Sequence, residues 1–571
     1  MEKTNKFVKD LISKMTLDQK VGATLTLGFT GTMITPDIYD QVTKYHCGGL
    51  RLTPSTRLFR DYVDPKTGEV LVKIDNIKGY KKSFNYAPYV TPAQYRDILM
   101  ELQDLAMKRP GGIPLHFCID QEGGARVNYN FGGVAMFPKQ MGLVAVDDPK
   151  IAYEVARAKC KQCGPVGFNW IHSPLLDINV NPDNPEINTR AYSDNVDVVT
   201  EYAIQECKGF KDGGIIATGK HFPGVGDTAS GAHFEVQQVN VDKDTMLKRD
   251  LLPYRELIKL NLLPSIMLAH SIFPAFDEKD LATLSKPIIT GLLREQMGFE
   301  GVVTTDSMTM YSIASRYGGI PNGCAMALAA GADLVLMKAE NQLVPETFNA
   351  IKKYVEEGKI SEKDLDDKVY RILSMKHAYG LFKNGKVSSA DPDEAAKDKK
   401  IAALAQKVAQ RSTIVARDRK KILPLPKDGK TLVIEQMLTT ANDVYWHPSL
   451  LFKKCLQRNK NTRLLEIGFK PDEADKAAVK RLTEEFDTII VTNYFKNGTS
   501  NAAMVKEIAA NKNKKVVVLA DTPYKLSIPD EIDTCVVIFG PSPSTLEAAV
   551  GVIFGEIKAE GKWPVEYKIN P

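Results

Sequence analysis

Short apolar runs alternate with helical patterns of hydrophobic residues from residue 21 to about residue 380. Eight runs have the length of buried strands: 21–28, 48–52, 115–119, 166–171, 215–218, 265–269, 302–305 and 334–337. Between them, apolar residues recur at helical spacing, as in 151–163, 196–211, 286–297 and 362–379. Eight strands alternating with helices predict an α/β fold of the (β/α)8 TIM barrel type, although a doubly wound open sheet gives the same alternation.

Polar residues follow several of these predicted strands directly. Asp120 comes after the third run, Lys220 and His221 after the fifth, His270 after the sixth and Asp306 after the seventh. Barrel enzymes build their active sites at the carboxyl ends of the strands. The sequence therefore predicts a site at that end. The segment 53–92 is longer than a typical crossover, so we expect it to border the same site.

A second alternating pattern begins after a polar stretch. Residues 384–398 are charged, 401–416 have a helical pattern, and five apolar runs follow at 431–434, 464–467, 488–492, 515–520 and 535–539. The pattern predicts a barrel domain over 1–383, a linker and connecting helix over 384–412, and a smaller α/β sandwich domain with a largely parallel sheet over 413–571. No Gly-x-Gly-x-x-Gly opens its helices, which argues against a nucleotide site.

Composition narrows the class of protein. The chain has 571 residues, of which 43% are hydrophobic and 25% charged, and a net charge of +5. We expect no nucleic-acid partner, because no basic run is interleaved with aromatic residues. Residues 1–17 have an amphipathic helical pattern without the apolar core of a signal peptide, so we expect no membrane span and a cytoplasmic protein; a secreted form whose signal has been removed is the alternative.

The eight cysteines are scattered, several of them inside apolar runs. Cys160 and Cys163 have the spacing of a redox or zinc pair, but they lie in a helical pattern with no second pair. We therefore expect buried thiols, no metal and no cofactor.

The loop 220–233 is the most informative stretch of the chain. It reads Lys-His-Phe-Pro-Gly-Val-Gly-Asp-Thr-Ala-Ser-Gly-Ala-His. A proline and three glycines exclude a helix, so the backbone is shaped to hold polar side chains against a ligand. The alternative is a solvated loop whose histidines are incidental.

This loop resembles the motif of the glycoside hydrolase family 3 β-N-acetylglucosaminidases, Lys-His-Phe-Pro-Gly-His-Gly-Asp-Thr, two residues, Asp-Ser-His. Residues 220–224, 226–228 and His233 fit the motif. Three positions depart from it, because Val225 stands for a histidine, Gly231 for an aspartate and Ala232 for a serine.

The resemblance implies catalytic roles for two residues. Asp306 matches the nucleophile of a retaining glycosidase, whereas an ordinary reading makes it the cap of the next helix. His233 matches the acid/base, which the family orients with an aspartate at the position of Gly231. Asp227 and Glu235 are near enough in sequence to replace that aspartate or the acid itself.

The resemblance also implies substrate-binding residues, namely Asp120, Arg190, Lys220 and His221, which would contact sugar hydroxyls. The ordinary readings are a turn acid for Asp120, a surface arginine for Arg190 and a loop support for the Lys-His pair. Arg126 is out of register with the family arginine by one residue and is expected to be structural.

The function implied is that of a retaining, exo-acting glycoside hydrolase that removes a terminal β-linked sugar, N-acetylglucosamine, through a covalent glycosyl-enzyme on Asp306, without a cofactor. Three alternatives stay open: a β-glucosidase or β-xylosidase type of enzyme, a phosphorolytic family 3 enzyme, and a catalytically weak sugar-binding relative.

Overall fold

The structure is a computed structural model that describes residues 2–54, 56–58, 83–85, 90–124, 126–231, 235–338, 343–383, 385, 387–437, 450–511 and 513–570. His233 and most of the segment 53–92 lie outside the described residues, as do the predictions made for them.

Eight parallel strands close into a barrel. In chain order they are Leu25–Thr30, Gly49–Thr53, His116–Ile119, Trp170–Ile171, Ile216–Phe222, Ser265–Leu268, Val302–Ser307 and Leu334–Met337. Each pairs with its neighbours in the chain, and the first pairs with the eighth, so the sheet has no edge. The predicted TIM barrel is confirmed and the open sheet is excluded.

Helices surround the barrel. Those of the barrel region are Glu2–Ile12, Leu17–Ala23, Pro36–Thr43, Pro92–Met107, Gln140–Ala145, Lys150–Val166, Val196–Gly213, Lys243–Lys248, Leu252–Lys259, the π-helix Pro287–Gln296, Tyr311–Ala314, Ile320–Ala330, Leu343–Glu356 and Glu362–Ala378. Short strands outside the barrel pair into three small sheets: Thr56–Leu58 with Ser83–Asn85, Gln121–Gly123 with Arg126–Val127, and Gln237–Gln238 with Ser271–Phe273 and Asp277–Leu281.

The amino-terminal helix is shorter than its pattern predicts. The side-chain oxygen of Thr16 accepts a hydrogen bond from the backbone N–H of Gln19, and the Gln19 side chain accepts one from Thr16 N–H. This capping box starts a second helix, Leu17–Ala23. The predicted strand run 21–28 is therefore wrong over its first residues, and the first barrel strand begins at Leu25. No helix in the described ranges is both long and apolar enough to cross a bilayer.

The second sheet has six strands, in the order Ile414–Asp418, Thr534–Val537, Lys515–Ala520, Thr488–Asn493, Thr431–Gln436 and Thr462–Ile467. All five predicted runs form parallel strands. The prediction of a helix over 401–416 is wrong at its end, because helix Lys399–Ser412 stops there and Ile414–Asp418 pairs antiparallel with Thr534–Val537. The helices of this part are Pro392–Ala396, Lys399–Ser412, Leu450–Arg458, Glu473–Glu485, Ala502–Ala510 and Pro543–Ile553.

The second sheet region packs against loops at the carboxyl end of the barrel. The side-chain amide of Asn179 donates to the hydroxyl of Tyr524 at 2.9 Å. The backbone N–H of Lys139 donates to the carbonyl of Phe539 at 2.8 Å. These contacts fix the loop that carries Arg190 between the barrel and the second sheet.

Candidate active site

Four successive strands bring an acid and three bases together at the carboxyl end of the barrel. Asp120 forms an ion pair with Arg51, and its Oδ1 lies 3.4 Å from Lys220 Nζ and 3.6 Å from His172 Nδ1. Burial would raise the pKa of Asp120, but the charges of Arg51 and Lys220 and the hydrogen bond with His172 hold it well below its usual range. Asp120 is therefore a carboxylate with fixed orientation rather than a simple turn acid.

Glu122 joins two of the predicted sugar-binding residues. Its two oxygens accept hydrogen bonds from Arg190 Nε at 2.8 Å and Nη2 at 2.9 Å. Lys220 Nζ lies 2.6 Å from Oε1 of the same carboxylate. Burial alone would raise the pKa of Glu122, yet Arg190 and Lys220 lower it well below the usual value. Arg190 is thus buried and paired, which excludes the surface-arginine reading.

Asp177 orients the ring of His221. The Asp177 carboxylate lies 2.8 Å from His221 Nδ1 and also accepts the backbone N–H groups of His221 at 3.2 Å and Val225 at 2.9 Å. The ring therefore presents Nε2 to Asp306, whose Oδ2 lies 3.8 Å away. The contact of one ring nitrogen with Asp177 fixes the orientation of the whole ring toward the site.

Asp306 lies on the seventh barrel strand and does not cap a helix. The next helix, Tyr311–Ala314, begins after Met310, while the Asp306 carboxylate accepts the backbone N–H of Ser307 at 2.6 Å. Burial would raise the pKa of Asp306, but the charges of His221, His270 and Lys338 outweigh this effect and hold the pKa below its usual range. The carboxylate is therefore ionised near neutral pH.

His270 and Lys338 complete the surroundings of Asp306. His270 Nε2 lies 3.0 Å from the carbonyl oxygen of Ser307, and its Nδ1 lies 2.7 Å from Thr283 Oγ1. Lys338 follows the eighth strand; burial and the charge of Arg51 lower its pKa, while Asp120 and Asp306 act in the opposite direction. Lys338 thus interacts electrostatically with both acids.

The loop after Lys220 packs tightly against the segment after the fourth strand. Val225 is buried in the core, and its carbonyl accepts the side-chain amide of Asn184 at 2.8 Å. A Cβ at Gly226 would lie 1.7 Å from the carbonyl oxygen of Ile178, so only glycine fits there. The side chain of Val225 thus belongs to the hydrophobic core beneath this loop.

Gly231 lies against a carboxylate from another loop. A Cβ at this position would be 2.8 Å from Oε1 and 3.0 Å from Cδ of Glu186. Of the two substitutes suggested by sequence, Asp227 pairs with Arg249 at 3.1 Å and Glu235 is exposed. A third acid, Glu186, thus lies where a side chain from position 231 would project.

The structure brings together most of the residues predicted for the site: Asp120, Arg190, Lys220, His221 and Asp306. Sequence reasoning did not assign five further residues that bind or face them: Arg51, Glu122, His172, Asp177 and Lys338. Arg51, His172 and Lys338 are polar residues at or just after apolar runs, which is a signal available in the sequence. Glu122 belongs to the same short polar stretch as Asp120.

Comparisons with known proteins bear on the family of the chain. Residues 18–375, more than half of the chain, match the glycosyl hydrolase family 3 N-terminal domain. Beta-hexosaminidase A of Pseudoalteromonas piscicida is 30% identical over 362 residues, which span 58% of this chain and 58% of that relative. A beta-N-acetylglucosaminidase/beta-glucosidase of Cellulomonas fimi is 24% identical over 488 residues, which span 80% of this chain and 84% of the relative.

Solved structures share both parts of the fold. A glycoside hydrolase family 3 beta-N-acetylglucosaminidase from Paenibacillus sp. str. FPU-7 superposes with a TM-score of 0.83 at 28% identity, covering 96% of this chain and 99% of that one. Beta-glucoside phosphorylase BglX superposes with a TM-score of 0.80 at 21% identity, covering 99% of this chain and 97% of its own, and so shows the fold alone.

Proposed function

Since the chain belongs to glycosyl hydrolase family 3, we propose that it is a retaining, exo-acting glycosidase that removes a terminal β-linked N-acetylglucosamine. The observation that carries the proposal is the position of Asp306, an ionised carboxylate 3.8 Å from the Nε2 atom of an oriented histidine, at the end of a barrel strand. The names of the hexosaminidase relatives support the choice of sugar.

The reaction proceeds in two displacements. One oxygen of Asp306 attacks the anomeric carbon while the bond to the leaving-group oxygen breaks and that oxygen takes a proton from the enzyme's acid. Water then attacks the glycosyl-enzyme, loses a proton to the same group, and releases the sugar and Asp306. Two inversions give retention. His221 stabilises the nucleophile's charge and stays out of proton transfer, since Asp177 fixes it facing Asp306.

We assign the acid/base role to His233, as the motif implies, with Glu186 in place of the missing aspartate. The supporting observation is the carboxylate of Glu186, which lies 2.8 Å from the Cβ position of residue 231. A carboxylate beside an imidazole favours its protonated form, which is the form that donates to the leaving group.

The sugar is held by groups that are already charged and aligned. The Asp120 carboxylate can accept hydrogen bonds from sugar hydroxyls. Lys220 is held between Asp120 and Glu122 and can donate hydrogen bonds to sugar oxygens. Arg190 uses three of its five N–H groups on Glu122 and the carbonyl of Glu186. Because three of the five groups are engaged in this way, the main task of Arg190 is to hold Glu122 and the loop in place, and two N–H groups remain for a sugar hydroxyl.

A panel of nitrophenyl β-glycosides tests the proposal, using the N-acetylglucosaminide, glucoside and xyloside with and without inorganic phosphate. We expect hydrolysis of the N-acetylglucosaminide to dominate in both conditions and to be lost in Asp306→Ala. Preference for the glucoside or xyloside would overturn the sugar assignment, and sugar 1-phosphate as the main product would indicate a phosphorylase. Activity that survives Asp306→Ala would overturn the nucleophile.

A further inference from the structure

A cavity of about 50 Å³ lies between the barrel and the second sheet, and four cationic side chains are among the residues that line it. Arg126, Lys139 and Arg190 reach it from the barrel loops, and Lys496 reaches it from the loop after strand Thr488–Asn493. The acidic residues among its lining are Glu186 and Asp521. The cavity therefore carries more positive than negative charge.

The acids around the cavity neutralise its cations unequally. Arg190 is engaged by Glu122, and Lys139 Nζ lies 3.8 Å from Asp521 Oδ2 and donates to Thr189 Oγ1 at 3.2 Å. Arg126 differs, because burial and the charge of Arg190 lower its pKa while Glu122 and other acids act on it only through space. Its guanidinium group, which carries five N–H donors, lines the cavity.

Like charges oppose one another at this place. Burial, Arg126 and Lys139 together lower the pKa of Lys496 to about 7. Burial also raises the pKa of Asp521 to about 6, although Lys139 counteracts it. Half-buried cations that repel one another are stabilised when an anion binds between them.

The position of the cavity relates it to the sugar site. Arg190 separates it from the Glu122–Lys220 pair. Glu186 also lines the cavity, and its Oε1 lies 2.8 Å from the point where a Cβ at Gly231 would stand. Gly231 belongs to the loop to which the proposed function assigns the acid/base residue. The proposed function gives this loop the acid that protonates the departing oxygen, and on that assignment the cavity lies on the side of the leaving group.

We propose that the cavity between Arg126, Lys139 and Lys496 is a binding site for a small oxyanion, a carboxylate or phosphate group, beside the leaving-group position. This inference rests on the proposed function for its place in the reaction. The anion is either an acidic group on the part of the substrate beyond the cleaved bond or free inorganic phosphate. Arg126, which the sequence analysis expected to be structural, becomes a specificity residue, since its fork suits both oxyanions.

Two arms of one experiment distinguish the sources. In the first, calorimetric titration measures the binding of inorganic phosphate to the wild-type protein, to Lys496→Met and to the control Lys480→Met. Lys480 is an exposed residue of helix Glu473–Glu485. In the second, kcat/KM is compared for 3-carboxyphenyl and 3-carbamoylphenyl β-N-acetylglucosaminides with the same three proteins. The first arm needs no turnover, so it stays informative if the proposed hydrolysis fails.

We expect Lys496→Met to weaken phosphate binding, or to reduce the preference for the carboxylated substrate, by about tenfold or more, as loss of one charged hydrogen bond implies. A change in the first arm identifies free phosphate, and a change in the second identifies an acidic leaving group. Lys139→Met is measured in parallel and should act in the same way if Lys496→Met does not fold. The proposal is overturned if the wild-type protein favours neither anion, or if both variants behave like Lys480→Met.

Discussion

Glu122→Gln perturbs the buried ion network of Glu122, Arg190 and Lys220 without changing the nucleophile Asp306. The Glu122 side chain is 2% exposed and holds Arg190 through two hydrogen bonds and Lys220 through a 2.6 Å contact. Glutamine keeps the size of the side chain but removes its charge. One amide oxygen must then serve two cations, and the amide N–H₂ faces a group that can only donate.

The expected cost is large because the cations stay behind. Removing one partner of a buried ion pair typically costs about 3–5 kcal/mol, much of it from the charge left unpaired. Lys220 also loses a charged hydrogen bond that holds it beside Asp120. We therefore expect kcat/KM to fall about tenfold to a hundredfold, the equivalent of roughly 1.5–3 kcal/mol.

Urea unfolding followed by fluorescence measures the stability, and initial rates on a nitrophenyl N-acetylglucosaminide measure kcat/KM. The depressed pKa of Glu122 sets the pH dependence. The stability that the ionised Glu122 side chain contributes to the fold is complete above the unfolded-state pKa of about 4.3, and it is lost as pH falls through the lower folded-state pKa. The difference between wild type and variant should thus be full at pH 7 and shrink only in acid.

Glu101→Gln, on an exposed position of helix Pro92–Met107, is the matched control and should change little. If Glu122→Gln stays within about 0.5 kcal/mol of wild type, the usual range of surface substitutions, and keeps its activity, the network does not position the site.

Three further results are expected. Gly231→Asp should lower the rate of nitrophenyl glycoside hydrolysis because it sets a second carboxylate against Glu186, whereas Gly231→Ala should be tolerated because the end of the Glu186 side chain can shift. The double variant Gly231→Asp with Glu186→Ala should regain activity. If it does not, Glu186 does not take the place of an acid at position 231. Asp177→Asn should lower kcat about tenfold or more without a matching change in KM, since it frees the ring of His221; unchanged kcat would argue against orientation by Asp177. Burial and the charge of Arg109 lower the pKa of Lys376 to about 7, below its value in the unfolded chain. The wild-type free energy of unfolding, relative to that of Lys376→Met, should therefore rise between about pH 7 and pH 10, by at most about 1.4 kcal/mol per pH unit. A difference in urea unfolding that does not change with pH would refute the shift.

The barrel could be predicted because its strands are local features. Each strand of the barrel coincides at least in part with a predicted apolar run of four to eight residues, and the runs from 48–52 to 334–337 match the strands to within a few residues. The strand Ile414–Asp418 was missed because it follows a helix after one residue and contains Arg417. It is a strand because it pairs with Thr534–Val537, more than a hundred residues away.

The site was predictable where it follows the motif and not where it depends on pairing between distant loops. Asp120, Lys220 and Asp306 stand directly after or at the ends of strands, which places them on one face. Asp177 lies in a loop whose sequence gives no sign of its contact with His221, 44 residues away. Glu186 could not be predicted beside Gly231 for the same reason, because only the packing of two loops brings them together.

Covalent trapping tests the central assignment most directly. The protein is incubated with a 5-fluoro-N-acetylglucosaminyl fluoride, which slows breakdown of the glycosyl-enzyme, and is then analysed by intact-mass and peptide mass spectrometry. We expect one added glycosyl group on the peptide that contains Asp306, and none on the Asp306→Asn variant. A label on another carboxylate, or inactivation without any label at Asp306, would contradict it.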